Sequence, residues 1–89
     1  MDTKDKIQMM EKMSRELDDI LNSQTALLKK ISQLEAENLN MGNKLLEERL
    51  PDVHEKVDEG ITEIKAVIEE FAEAKDKFIA ENPVEENPS

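Results

Sequence analysis

Cysteine, tryptophan and tyrosine are absent from the 89 residues, and only two glycines, three prolines and two phenylalanines occur. Without cysteine there is neither a disulfide framework nor a thiolate metal site. The glycines, Gly42 and Gly60, stand too far apart to form a loop that cradles phosphate. The longest run free of charge, Ile20 to Leu28, has nine residues, whereas a bilayer crossing takes about 20. Basic charge is scarce as well: 12 Lys and Arg stand against 22 Asp and Glu, giving a net charge of −10.

The acidity gathers in the second half, with a balance of −2 over residues 1–50 and −8 over residues 51–89. Phosphate backbones and anionic lipid attract the opposite sign, so neither nucleic acid nor a membrane is expected as a direct partner. Met1 is followed by Asp2, Lys4, Asp5 and Lys6 instead of a basic-then-apolar leader, which points to the cytoplasm. A chain of 10.2 kDa buries only about 60 to 65% of its unfolded surface, so a second copy is expected to complete the core.

What is present is heptad periodicity. Met10, Met13, Leu17, Ile20, Gln24, Leu27, Ile31, Leu34, Asn38, Met41 and Leu45 follow one another in steps of three and four, starting at an a position. A second frame runs Leu50, Val53, Val57, Gly60, Ile64, Val67, Phe71, Ala74, Phe78 with the same spacing. Between Leu45 and Leu50 the rhythm slips, so no single seam joins the frames. The slip coincides with Asn40, Gly42, Asn43 and Pro51. Gly42 is suited to end a first helix over roughly 3–41, and Pro51 to open a second over roughly 52–81, with 44–50 assigned to neither. Asn82-Pro83 and Asn87-Pro88 stop the second helix and leave 82–89 as a disordered acidic tail beyond a helical domain at 1–81.

Leu21 and Leu28 in the first frame, and Ile61 and Ile68 in the second, widen each apolar stripe at e positions. Stripes of this width suit a bundle of three or more helices. The expected architecture is all-α: two long amphipathic helices with a break at about 42–51, folded as a coiled-coil hairpin that dimerises into a four-helix bundle. An extended coil with a kink is the alternative. Self-association would run through Leu17, Ile20, Leu27, Ile31, Leu34, Val57, Ile64, Phe71 and Phe78. Gln24 and Asn38, polar residues at a positions, are candidates for setting register across the seam. Gly60 and Ala74 would allow a neighbouring helix to approach closely.

Catalysis needs a nucleophile with its base, a tuned acid-base pair or a metal cluster. His54 is the sole histidine, and Pro51 occupies the position three before it that a Glu-x-x-His metal pair would need. No enzyme activity, metal or cofactor is therefore expected, and His54 reads as a partly buried or capping imidazole. Met9, Met10 and Met13 form an adaptable cluster near the start. Asp52, Glu55, Glu59, Glu69, Glu73 and Asp76 fall along one outward stripe of the second helix, interrupted by Thr62 and Ala66. That stripe is the candidate surface for a partner protein, and its carboxylates repeat at a spacing near that of phosphates on a nucleic-acid strand.

Met1-Asp2 with Lys4, the coil to Leu34, and Glu37-Asn38 through Glu48-Arg49-Leu50 resemble the N-terminal coiled coil of the YabA family, bacterial regulators of replication initiation. The resemblance covers about half the chain and implies a regulatory adaptor. The cysteine-bearing zinc module that carries that family's partner contacts has no counterpart after Leu50. The expected function is thus that of a small non-enzymatic coiled-coil protein that forms a homodimer and binds an unidentified protein as an adaptor. The alternatives are an acidic inhibitor that mimics nucleic acid, or a minor scaffolding component of a larger assembly.

Overall fold

The computed structural model describes residues 1–83. Among them lie two helices and no strand: α1, Thr3–Met41, and α2, Lys44–Glu81, of 39 and 38 residues. The helices pack against each other as an antiparallel hairpin, as the two wide stripes lead one to expect. The longest dimension is 71 Å, against roughly 115 Å for two such helices end to end. Neither helix is long and apolar enough to cross a membrane. Of the expected acidic tail, residues 84–89 lie outside the described residues.

Each helix end is closed by local chemistry. Asp2 caps α1, its Oδ1 accepting from the Asp5 N–H at 2.8 Å. At the other end Gly42 adopts the left-handed conformation, φ 71° and ψ 30°, and its N–H donates to the Asn38 carbonyl at 2.7 Å. Asn43 then caps α2 by accepting from the Leu46 N–H at 3.0 Å. After Glu81, both the N–H and the side-chain amide of Asn82 donate to the Phe78 carbonyl.

The break is narrower than the sequence indicates. Only Gly42 and Asn43 interrupt the helices, and α2 begins eight residues before the expected start at 52. Pro51 lies inside α2, where its missing N–H leaves the Glu47 carbonyl without the usual donor. A proline in a helix interior costs about 3 kcal/mol. Capping by Asn43 and the part-burial of Leu46 and Leu50 offset that cost, and helix is the conformation that secures both.

The seam between α1 and α2 also differs from an a/d seam. Reduced exposure marks Met10, Ser14, Leu17, Leu21, Gln24, Leu28, Ile31, Glu35 and Asn38 on α1, and Leu50, His54, Val57, Ile61, Ile64, Ile68, Phe71, Lys75 and Phe78 on α2. These are the a and e positions of the two frames. Ile31 and Ile61 are the buried hydrophobic residues at the centre. The d positions other than Gly60 are left on one flank, because two helices alone can cover only part of a stripe this wide.

Candidate interaction site

Three features of the hairpin offer chemistry to a partner: the loop end, a polar contact at mid-length, and the two outward faces. The loop end is built by Asn38. Its side-chain amide reaches across the turn, with Nδ2 donating to the Asn43 carbonyl and Oδ1 accepting from the Asn43 N–H, both at 3.0 Å. Asn38 is buried, so within the chain its bonding capacity goes to closing the loop. Beside it Glu35, Leu39, Leu46, Leu50 and Pro51 help to line a shallow groove of about 250 Å³.

His54 stands at the edge of this region. Its Nδ1–H donates to Glu35 Oε1 at 2.6 Å, a hydrogen bond that joins the two helices. Both side chains are about a third exposed, at 39% for His54 and 30% for Glu35. The partly buried imidazole is as the e position implies; its partner was not anticipated. Glu35 shares a row with Leu21 and Leu28, and His54 shares one with Ile61 and Ile68, so pairing the two e rows antiparallel would have revealed it. Among the described residues, no three His, Asp or Glu side chains come together as a metal site would require.

At mid-length Gln24 faces Gly60. A carbon added at Gly60 would stand 3.3 Å from Gln24 Nε2. The close approach expected at this glycine is therefore occupied by a side chain of α1. The other amide atom, Gln24 Oε1, is buried and finds no donor among the described residues. A buried acceptor left in this state costs on the order of 1 to 3 kcal/mol.

The residues expected to drive self-association divide into two sets. Leu17, Ile31, Val57, Ile64, Phe71 and Phe78 line the seam inside the hairpin. Ile20, Leu27 and Leu34 lie outside it, with 41 to 46% of their surface exposed, and Met13 at 44% continues the row. On α2, Val53 and Val67 are exposed to a similar degree, and Ala74 is exposed as well. The acidic row is fully outward: Asp52, Glu55, Glu59, Glu69, Glu73 and Asp76 are all exposed, and none of them forms an ion pair with another described residue. Met9 and Met13 are exposed near the start of α1.

Residues 1–81 match the family model described as Nucleotide-Binding Domain 94 of RH, and the chain belongs to that family. It is a different family from the YabA regulators that residues 1–50 resemble. No curated protein and no solved structure matches the chain.

Proposed function

We propose that this chain is a non-enzymatic coiled-coil adaptor of the cytoplasm, which self-associates through its apolar side and offers its acidic side to a protein partner. The observation that supports this reading is the row of exposed d residues, Met13, Ile20, Leu27 and Leu34. A contiguous apolar surface on a small helical protein marks an interface. The opposite surface of α2 carries an excess of carboxylates, flanked by Lys56, Lys65, Lys75 and Lys77, and an acidic excess suits a basic protein surface.

Light scattering after size exclusion tests the first half. The expected mass is twice 10.2 kDa, and Ile20→Lys with Leu27→Lys should return the chain to a monomer. A parent chain that stays monomeric up to high micromolar concentration would sink the reading. The second half is tested by replacing Glu69, Glu73 and Asp76 with Gln or Asn and measuring affinity for a partner isolated with the parent chain. A weakening that disappears at high salt supports a charged contact. Affinity for a DNA-binding protein that DNA itself displaces would instead favour the nucleic-acid mimic, and open-ended assembly at rising concentration would favour a scaffold.

The family's description supports a second reading, the binding of a nucleotide. The basic side chains nearest the start of α2 are Lys44 and Arg49, set among Glu47 and Glu48. Calorimetric titration with magnesium ATP tests it. Saturable binding lost on Lys44→Ala would move the reading from adaptor to nucleotide-binding module.

A further inference from the structure

The exposed apolar side of the hairpin has a two-fold pattern. Successive helical residues are about 100° apart, so the d positions lie on one flank of the a and e stripe. Because α1 and α2 run antiparallel, their d flanks open on the same side of the pair. On α1 this flank holds Met13, Ile20, Leu27 and Leu34, with its midpoint between residues 23 and 24. On α2 it holds Val53, Val67 and Ala74, with Gly60 packed against Gln24 between them, and its midpoint lies between residues 63 and 64. The two midpoints stand at nearly the same height, since Gln24 packs beside Gly60 and Glu35 pairs with His54.

The charges bordering this flank at g positions repeat the pattern. Glu16 and Lys30 are equidistant from Ser23 on α1, and Lys56 and Glu70 are equidistant from Glu63 on α2.

We propose that two copies of this chain stack apolar side to apolar side about a two-fold axis crossing the hairpin near Ser23 and Glu63, with their loops at opposite ends. The inference rests on the self-association proposed above and specifies its geometry. Met13 then covers Leu34 of the second copy, Ile20 covers Leu27, and Val53 covers Ala74.

Charge selects this arrangement over the one with loops at the same end. With loops opposed, Glu16 meets Lys30 of the second copy and Lys56 meets Glu70, each twice; the like pairs are Arg49 with Lys77 and Glu63 with itself at the axis. With loops together, α1 lies over α2, which sets Glu16 against Glu70 and Lys30 against Lys56 and leaves Glu37 with Arg49 as the favourable contact. Pairs of this kind choose between orientations more than they add affinity. The area suffices as well. The chain exposes 7181 Å², about 1,900 Å² more than a folded monomer of this mass, and a stable interface takes roughly 800 Å² per partner.

The chain has no cysteine, so introduced thiols report the geometry directly. Ser23→Cys places a thiol beside the axis and should cross-link to its own copy under mild oxidation. A mixture of Glu16→Cys and Lys30→Cys chains should give the mixed disulfide, and a mixture of Glu16→Cys and Glu70→Cys should not. A dimeric mass with Ser23→Cys left reduced and Glu16→Cys joined to Glu70→Cys overturns this geometry while self-association stands. A monomeric mass for the parent chain removes both.

Discussion

Gly60 stands against the side-chain amide of Gln24, with room for no more than a hydrogen on its α-carbon before the contact tightens to 3.3 Å. A polar side chain fits at this a position because the residue opposite has no side chain. Size at residue 60 therefore decides how closely the helices pack at mid-length.

Replacing Gly60 by leucine is expected to force the helices apart and to cost about 1 to 3 kcal/mol, the usual penalty for overpacking. Alanine should be nearly neutral. Its better helix propensity contributes about 1 kcal/mol, which offsets the few tenths of an ångström that the Gln24 amide must yield. Thermal unfolding followed by circular dichroism separates the two variants. Equal melting temperatures for leucine and the parent would show that the contact does not limit packing.

Asn38→Ala should remove both bonds to the Asn43 backbone and leave a part-buried N–H and carbonyl unpaired at the loop. The expected loss is about 1 to 3 kcal/mol in a urea titration. Gly42→Ala acts at the same loop by a different route. No atom would crowd the new side chain, so the cost of about 1 to 2 kcal/mol comes from the left-handed backbone alone.

Pro51→Ala restores the N–H that α2 lacks toward the Glu47 carbonyl. Stability should rise, by up to about 3 kcal/mol. Amide exchange around residues 47–51 should slow in parallel. A variant that melts below the parent would mean that the proline ring makes contacts worth more than the hydrogen bond.

Glu35→Gln weakens the pair with His54, whose groups are partly exposed. Such pairs are worth up to about 1 kcal/mol. The difference between variant and parent should shrink between dilute buffer and about 1 M salt, where the screening length falls to about 3 Å. A difference that ignores salt would assign the effect to packing instead of charge.

The order and approximate extent of the helices were legible in the sequence because heptad spacing, Gly42 and Asn82-Pro83 act locally. The Asp2 and Asn43 caps emerged only from the structure, and Pro51 misled: a proline rule says what one residue costs, not whether Leu46 and Leu50 gain more by packing. The width of the stripes pointed to more than two helices, and the row Ile20, Leu27 and Leu34 left outside the hairpin agrees with that width. The acidic row on α2 was equally readable, since outward c and f positions follow from the same period.

Which half of each stripe faces inward was decided by the tertiary structure. A frame that begins at Met10 marks a, d and e alike as apolar, and periodicity cannot choose between an a/d and an a/e seam. Antiparallel packing made that choice by bringing His54 to Glu35 and Gly60 to Gln24, residues 19 and 36 positions apart whose contacts no local rule contains. Asn38 shows the same division. Its place at an a position was fixed by spacing, while its bonds to Asn43 exist only because the chain turns at Gly42. Sequence set the helices through interactions within a few residues; the turn and the packing set the faces, because burial depends on what lies opposite.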